Sequence, residues 1–379
     1  MRFAFKSQLQ DFVVDELLDF VPDTKGPFHY FRIEKKGINT MDIIDHLCAH
    51  SSLTRKEIGI AGLKDKKWIT RQRICLHKND IATLWGLIPF KKLLWSQVTI
   101  LKDKKHSTPL RVGSNSGNTF TVTLRAKKPI TTDIKKLVEK NITTIRNYGF
   151  PNCFGVQRFG KWLRNYKRAA AIFEWNDTKP IEDYSLKFML QAYASMHFNN
   201  YALTRRDAQD WLLDGDICVD KYHAYDIQTS IYRDGVYMPF DYKACKEDHN
   251  EDPSLFPDHI SWKPDKQTKR IATWPMLWWN LLLPPKHTES WFCEWDIYKQ
   301  TKFWERWSDI SRSYGIFGFR RPLWVRAWDF RHTWDSSWNL ILNFSLPTWA
   351  YATVLLGVLL ENIDPKGVVE NGLIIPHIV

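Results

Sequence analysis

One acidic residue among lysines is the part of this chain best suited to covalent chemistry. Asp65 lies in the stretch 61–67 and has one lysine before it and two after it. Opposite charges within a few Å favour the ionised form of a carboxyl group, and an ionised carboxylate can act as a nucleophile. Gly62 allows either a tight turn or the close approach of a ligand at this point.

The residues around this stretch predict how Asp65 is presented. Residues 58–61 and 68–75 have the alternating pattern of strands, so Asp65 is expected on a loop between two strands. A loop supported by two strands is a rigid place for a reactive group. A solvated hairpin tip is the plainer interpretation of the same pattern.

A second segment, 149–160, combines aromatic rings with polar side chains. It contains Asn152, Phe154, Gln157 and Arg158. Proteins hold unpaired bases by stacking on rings and by hydrogen bonds to such polar groups. A buried aromatic corner is the structural alternative. A run of cations follows and favours RNA as the ligand: Lys161, Arg164, Lys167 and Arg168.

The positive charge is concentrated in one part of the chain. The 379 residues carry a net charge of +12, but residues 101–170 alone hold 16 Lys and Arg against 3 Asp and Glu. The remaining residues hold 38 against 39. This distribution predicts a polyanion-binding face. Nucleic acid is the first expectation for the polyanion and an acidic membrane surface the second.

Cysteine and hydropathy patterns exclude several classes of protein. The six cysteines are scattered without a C-x-x-C pair, so no structural zinc site and no other metal centre is expected. The longest apolar run, 350–360, is too short to span a bilayer. With no signal peptide recognised at the N-terminus, the sequence predicts a cytoplasmic protein in a reducing compartment.

The pattern of elements predicts an α+β fold with a mixed, largely antiparallel sheet flanked by helices. Residues 1–125 alternate strands with one helix over 41–49, and 117–125 is a strand with Phe120, Val122 and Leu124 on one face. Strand-like alternation returns near 338–344. We therefore expect a discontinuous catalytic domain over 1–177 and 317–379, with an α/β domain inserted at 178–316.

Five segments in this order resemble the tRNA pseudouridine synthase D family, which includes the eukaryotic Pus seven-type enzymes. They cover nearly the whole chain and comprise Lys6 with 11–16, 36–40, 61–66, 117–120 with 151–160, and 344–347 with 351–353. The run around Asp65 and the Asn-x-Phe-Gly-x-Gln-Arg-Phe-Gly run are the specific signals. The inserted domain would correspond to the family's TRUD domain.

The resemblance implies an enzyme that isomerises uridine to pseudouridine in RNA without a cofactor or metal. It places Asp65 in the nucleophile position, Lys6 as its basic partner and Asn152 as an orienting or hydrogen-bonding group. Phe154 would stack on the flipped base, with further RNA contacts from Lys64, Lys66, Gln157, Arg158 and Lys161. Attack of Asp65 on C6 of uracil or on C1′ of ribose both remain open, and the group that removes the C5 proton is not identified.

The expected substrate is tRNA, with uridine 13 as the family's usual target, or another structured RNA. The protein is expected to act as a monomer without an obligate protein partner. The main alternative is a non-catalytic RNA-binding or RNA-chaperone protein that uses the same cationic face. A methyltransferase would need a glycine-rich cofactor loop after an early strand, and the sequence has none. No DNA-recognition helix motif is evident either.

Overall fold

A computed structural model describes most of the chain. The described residues are 1–18, 20–49, 51–79, 97–175, 183–205, 212–219, 228–233, 236–241, 271–276, 283–300, 308–316 and 318–377. They form two compact units. The first unit consists of Met1–Lys140, Ala327–Ala352 and Asn362–Asn371, and the second consists of Asn141–Arg326, Thr353–Glu361 and Gly372–Val379.

The first unit is built from strands with few helices. Its strands are β1 (Phe3–Phe5), β2 (Phe12–Leu18), β3 (Phe28–Lys35), β4 (Gly59–Ile60), β5 (Ile69–His77), β6 (Val98–His106), β7 (Asn115–Ala126), β15 (Trp328–Trp334) and β16 (Leu340–Pro347). Its helices are α1 (Thr40–Ala49), the first part of α2 (Thr132–Tyr148) and α9 (Pro365–Glu370).

These strands form one nine-stranded sheet in the order β15-β16-β7-β2-β5-β3-β6, with β1 paired to β7 and β4 paired to β5. Among the described strand pairs of this sheet, β2 and β5 run parallel and all others run antiparallel. The expectation of a largely antiparallel, mixed sheet flanked by helices is confirmed. Strands from both ends of the chain meet in this sheet through the pairing of β16 with β7.

The register of β7 and β16 places the predicted apolar face in the core. Phe120 lies opposite Phe344, and the next inward pair is Val122 opposite Leu342. The side chains of Val122 and Phe344 are fully buried, as is that of Leu124. Alternation along a strand puts residues two apart on one face, so this face of β7 follows directly from its sequence.

Helix α1 covers the sheet near the Asp65 loop. Its apolar residues Ile43, Ile44 and Leu47 are buried in one cluster with Ile33 from β3 and Ile74 from β5. These positions on α1 recur at helical spacing, so one stripe of the helix faces the strands. The packing fixes α1, β3 and β5 relative to one another, and all three contact the loop described below.

The second unit combines helices with a smaller antiparallel sheet. Its helices are the last part of α2, α3 (Val156–Phe159), α4 (Arg164–Trp175), α5 (Asp183–Thr204), α6 (Glu289–Gln300), α7 (Ser308–Ser313) and α8 (Ala352–Leu360), whose first residue is assigned to the first unit. Its strands are β8 (Phe150–Pro151), β9 (Ile217–Val219), β10 (Gln228–Arg233), β11 (Val236–Asp241), β12 (Ile271–Met276), β13 (Phe319–Pro322) and β14 (Trp324–Val325).

Five of these strands form a sheet in the order β11-β10-β9-β12-β13, and β14 pairs with β8. The pair β14–β8 joins residues 324–325 to the segment that contains Asn152. The compact units divide the chain near residues 140 and 327, whereas the sequence placed an inserted domain at 178–316. The predicted domain boundaries stay a prediction, because compactness describes folding units and does not test an insertion.

Candidate active site

Asp65 lies on the irregular segment that connects β4 to β5, and its side chain is exposed. The strands on either side pair with each other, since Gly59 and Ile60 lie opposite Cys75 and Ile74. The sequence therefore predicted the setting of Asp65 correctly. What the sequence did not indicate is how the structure holds the main chain of this segment, residues 62–65, which we call the Asp65 loop.

A fully buried lysine holds the Asp65 loop by its carbonyl groups. The ammonium of Lys35, at the end of β3, donates hydrogen bonds to the carbonyl oxygens of Asp65 at 2.5 Å and Lys64 at 3.1 Å. It also donates to the carbonyl oxygen of Ile38 at 2.9 Å. One cation thus connects β3, the entry to α1 and the loop that carries the exposed carboxylate.

Two further buried side chains hold the same loop. The hydroxyl of Thr40 accepts from the main-chain N–H of Lys64 at 3.2 Å and donates to the side-chain carbonyl of Gln72 at 2.7 Å. The amide nitrogen of Gln72 donates to the carbonyl of Gly62 at 3.4 Å. Since the side chains of Thr40 and Gln72 are themselves buried, the loop is tied to α1 and β5 from inside the unit.

Lys6 stands among three aromatic rings. Its ammonium lies 4.0 Å from the ring centroid of Phe12, 4.9 Å from that of Phe5 and 5.1 Å from that of Trp68. A cation over the face of an aromatic ring is stabilised by the ring's quadrupole. The backbone of Lys6 has φ 58°, a left-handed conformation that a residue with a Cβ seldom adopts.

The charge of Asp65 affects the pKa of both Lys6 and Lys35. Burial lowers the pKa of Lys6 from its usual 10.5 to about 8, the Asp65 carboxylate raises it, and the charge of Lys67 lowers it. Burial likewise lowers the pKa of Lys35 to about 8, and Asp65 again acts in the opposite direction. Desolvation therefore dominates at both positions, and the attraction of Asp65 for both cations supports the pairing of Lys6 with Asp65 that the resemblance implied.

The lysines that flank Asp65 differ in their surroundings. The Lys64 ammonium lies 3.2 Å from an oxygen of the fully buried Glu16 carboxylate, and the Lys64 side chain is only 9% exposed. Lys66 is 60% exposed and lies 3.9 Å from Asp42 at the surface. The geometry favours an internal role for Lys64, while Lys66 is open to a ligand. Contact of either residue with RNA stays a prediction.

Gly62 does not provide a left-handed turn. It is not among the glycines with positive φ, and a Cβ at this position would meet only Lys64 Nζ at 3.9 Å and Asn115 Oδ1 at 4.0 Å. The first interpretation of this glycine, a tight turn that needs its conformational freedom, is wrong. The space beside its Cα is open, in agreement with the close approach of a ligand.

In the second unit, Asn152 is buried, and both polar atoms of its side chain form hydrogen bonds. Its side-chain nitrogen donates to the carbonyl of Pro322 at 2.9 Å, and its side-chain oxygen accepts from Arg321 at 2.8 Å. Arg321 also donates to the main-chain carbonyl of Asn152, at 2.9 and 3.1 Å. Asn152 therefore joins its own segment to the end of β13, which agrees with an orienting function.

Phe154 is held by main-chain contacts and by a guanidinium. Its N–H donates to the side-chain oxygen of Asn199 at 2.6 Å, and its carbonyl accepts from the Asn199 nitrogen at 2.9 Å. The Arg321 guanidinium lies 4.0 Å from its ring centroid, and the Phe198 ring meets it edge-on at 5.6 Å. With 6% of its surface exposed, Phe154 has the packing expected of a buried aromatic corner.

The remaining candidates of this segment lie on or near α3. Gln157 is exposed, and its side-chain oxygen accepts from the Thr353 hydroxyl at 3.4 Å. Arg158 donates to Ser195 at 3.2 Å and to Gln191 at 3.1 Å, both on α5. Lys161 begins a short 3-10 helix, and its side chain lies outside the described part of the structure.

Sequence reasoning missed several of these residues. Lys35 could have been found, because strand alternation places it on the same face as the buried Ile33. Glu16 and Gln72 also have inward positions on strands. Arg321 could not have been found, because its contact with Asn152 joins residues 169 positions apart and follows no local pattern.

The described residues contain no group of three or more His, Cys, Asp or Glu side chains placed to hold a metal ion. Among the helices that the structure describes, none has the length and apolar character that a bilayer crossing requires.

Known proteins resemble this chain in sequence and in fold. The family described as tRNA pseudouridine synthase D (TruD) matches residues 2–172. A tRNA pseudouridine synthase D from Hydrogenovibrio crunogenus is 27% identical over 363 residues, which is 94% of this chain and 92% of that protein. The crystal structure of a putative tRNA pseudouridine synthase D from Methanosarcina mazei has a TM-score of 0.66, with 18% identity, and covers 97% of this chain and 95% of that one.

The family match and the sequence relative support a pseudouridine synthase, an enzyme of the isomerase class. The solved structure shows that the fold is shared. The matched region includes Lys6, the Asp65 loop and the segment with Asn152 and Phe154. Within that class, the chain is similar to the tRNA pseudouridine synthase D family, through the family match over residues 2–172 and through a relative that aligns with most of its length.

The buried charge of Lys6 generates a pH-dependent prediction. The folded chain holds the pKa of Lys6 at about 8, below its usual 10.5, so the unfolded state binds more protons between these values. The free energy of unfolding of the wild type then rises with pH across this window, and below it the full penalty of burying the cation is present. We expect Lys6→Met to have a larger free energy of unfolding than the wild type near pH 7. This difference in free energy should become smaller between pH 8 and 10.

Urea denaturation of both proteins across this pH range measures the gap. Lys366→Met is a matched control, because Lys366 is 76% exposed on α9 and its removal should leave no pH-dependent gap. A gap for Lys6→Met that stays constant or widens with pH would contradict the assigned burial.

Proposed function

We propose that this protein converts a uridine of tRNA to pseudouridine with Asp65 as the nucleophile. In this isomerisation the N1–C1′ bond breaks, the uracil turns, and C5 bonds to C1′. The C5 proton leaves and N1 gains a proton, so the composition of the RNA does not change. The observation that carries the proposal is the exposed Asp65 carboxylate on a loop whose carbonyls are held by a buried ammonium.

A nucleophile must be ionised, accessible and fixed in place. The negative charge of Asp65 raises the pKa of Lys6 and of Lys35, so both cations lie close enough to interact with the carboxylate. Its exposure provides access, and the hydrogen bonds from Lys35 and Thr40 fix the main chain around it. Attack at C6 of uracil and attack at C1′ of ribose both need a carboxylate presented in this way, so both routes stay open.

In this proposal Lys6 is the basic partner of the nucleophile. Its ammonium is held over Phe12 and beside Trp68 rather than free in solvent. A cation of restricted position can stabilise the negative charge of Asp65 before the reaction. This interaction weakens when the carboxylate loses its charge by bonding to the substrate. The cation–π contacts offset part of the penalty of taking this ammonium out of water.

Phe154 is proposed to stack on the extruded base, with Asn152 orienting the segment. A base–aromatic stack contributes roughly 1–3 kcal/mol, which offsets much of the few kcal/mol that base flipping requires. The support comes from the fixed ring: Asn199 clamps its main chain on both sides, and Arg321 lies against its face. Gln157 is the exposed polar group beside it, and Arg158 and Lys161 are proposed as further contacts with the RNA.

Exposed cations provide the wider RNA contact. On the first unit they include Lys66, Lys102, Lys104, Lys105, Arg111, Lys127, Lys128 and Lys136. Cations of this kind bind phosphates without reading sequence. From the family we further propose uridine 13 of tRNA as the target and a monomer acting in the cytoplasm without an obligate protein partner.

Asp65→Asn tests the nucleophile. The amide keeps the size of the side chain but cannot form the covalent bond, so we expect turnover to fall below detection, at least about 10⁴-fold. Affinity for tRNA should stay within about threefold of the wild type, since one neutralised carboxylate does not remove a phosphate contact. Pseudouridine in a tRNA transcript, detected by carbodiimide adduct mapping, measures turnover, and filter binding measures affinity.

Asp45→Asn is the matched control, because Asp45 is an exposed carboxylate of the same unit that pairs with Arg55 at 2.7 Å. It should retain wild-type turnover. Normal turnover in Asp65→Asn would refute the proposed nucleophile, and a wild type that binds tRNA but forms no pseudouridine would favour the non-catalytic alternative.

The target position is tested with two transcripts that differ at one base. We expect pseudouridine at position 13 of a tRNA transcript, and none when cytidine replaces uridine there, because cytosine has a different hydrogen-bonding edge. Reverse-transcription stops after carbodiimide treatment locate the product. Product at another position in both transcripts would redirect the assignment of the target while leaving the reaction itself intact.

Phe154→Leu separates base stacking from core packing. Leucine keeps an apolar side chain in the corner but loses the flat ring, so turnover should fall about 5- to 150-fold, as expected for the loss of roughly 1–3 kcal/mol of stacking. The matched control is Phe198→Leu, which changes the neighbouring ring of the same corner. Its turnover should fall less than that of Phe154→Leu at a similar loss in melting temperature. Equal losses of turnover in both variants would assign Phe154 to the core alone.

A further inference from the structure

Lys35 is the most unusual buried group of the first unit. Its side chain is fully buried at the end of β3. It follows Ile33 on the same face of the strand, and Ile33 lies in the apolar cluster that α1 covers. An apolar side chain would suit this position. A lysine here must lose its hydration, and removing an ammonium from water is unfavourable.

The hydrogen bonds of Lys35 match the number of donors that its charged form carries. An ammonium has three N–H groups and no acceptor, and Lys35 donates to three main-chain carbonyls, those of Ile38, Lys64 and Asp65. A neutral amine would have one donor fewer than these carbonyls require. The site is therefore constructed for the protonated side chain.

Two of the three acceptors are consecutive carbonyls of the Asp65 loop. Hydrogen bonds to both Lys64 and Asp65 fix the orientation of the peptide group on each side of the Asp65 Cα. The direction of the Cα–Cβ bond follows from these peptide orientations. The third acceptor, the carbonyl of Ile38, anchors the same ammonium to the segment that enters α1.

The charge of Lys35 also acts on the carboxylate through space. Asp65 raises the pKa of Lys35 against the effect of burial, so the two groups attract each other without a direct ion pair being needed for the effect. Buried as it is, Lys35 cannot reach a substrate in solution. Its influence on the reaction must pass through Asp65.

We propose that Lys35 is a positioning residue for Asp65, which fixes the direction and the electrostatic environment of the carboxylate by holding the main chain on both sides of it. The inference rests on the proposed role of Asp65 as nucleophile. A reacting group displaced by about 1 Å can lose about 100-fold in rate. The loss of Lys35 is therefore a loss in the chemical step, while the surface that binds RNA is unchanged.

The test compares two substitutions that keep the length of the side chain approximately but differ in donors. Lys35→Met removes all donors, and Lys35→Gln keeps an amide with two N–H groups. We expect kcat to fall about 100-fold in Lys35→Met and less in Lys35→Gln, with KM for tRNA within about threefold of the wild type. Circular dichroism and melting temperature confirm that each variant is folded at the assay temperature.

The control is Lys366→Met, which removes the same charge from an exposed position on α9. Its kcat and KM should equal those of the wild type. A folded Lys35→Met with normal kcat would overturn the proposal, as would a rise in KM without a fall in kcat. Failure of both Lys35 variants to fold would overturn it as well, because Lys35 would then serve the stability of the unit rather than Asp65.

These outcomes are distinguishable from a failure of the proposed function. If the wild type forms no pseudouridine, the activity itself is refuted. If Asp65→Asn remains active, the nucleophile is refuted. If the wild type is active and Asp65→Asn is not, but Lys35→Met turns over normally, only the positioning role fails.

Discussion

The position of Asp65 depends on a buried ammonium that binds the main-chain carbonyls of its loop. An exposed side chain such as Asp65 cannot be fixed by packing, so its position is decided by the backbone beneath it. That backbone is irregular, and its polar groups need partners if the loop is to keep one conformation. Lys35, Thr40 and Gln72 supply those partners from the interior. The strands and α1 in turn fix the positions of these three side chains.

Lys6 and Lys35 represent two different uses of a desolvated cation. Lys35 satisfies its charge with carbonyl oxygens, which are fixed dipoles with no charge to titrate. Lys6 meets the faces of Phe5, Phe12 and Trp68, which attract a cation without binding its hydrogens in a fixed direction. The first arrangement specifies a geometry, whereas the second leaves N–H groups free to turn toward a partner. A reacting carboxylate needs a fixed backbone, which the contacts of Lys35 provide, and a nearby cation that can turn toward it, which Lys6 provides.

The sequence predicts the first unit well because its signals are local. The alternation in β7 indicated its buried face, and the Asp65 loop was placed correctly between two strands. The lysines around Asp65 were harder, since sequence cannot distinguish Lys64, which reaches a buried Glu16, from the exposed Lys66. Side chains on adjacent positions can point into the core or into solvent, and the difference depends on tertiary packing. Lys35 was overlooked because a lysine at a strand end is ordinarily a surface residue.

The second unit was harder to predict because its decisive contacts are not local. Asn152, Phe154 and Arg158 were recognised as a set of chemical types, but their surroundings come from distant parts of the chain. Arg321 bonds to Asn152 and lies over Phe154, while Asn199 clamps the Phe154 main chain from α5. Each of these contacts forms only when helices and strands have assembled. A motif can therefore indicate a chemistry while leaving open whether its side chains face a ligand or one another.

The hydrogen bonds from Lys35 to the Asp65 loop have a consequence for protein engineering. Lys35 recognises carbonyl oxygens, and every amino acid has the same carbonyl group. The attachment through Lys35 therefore does not depend on the exposed side chains of the loop. The exposed side chains of Leu63, Lys66 and Lys67 could therefore be diversified in a library while the backbone keeps its shape, whereas Lys64 must keep its contact with the buried Glu16.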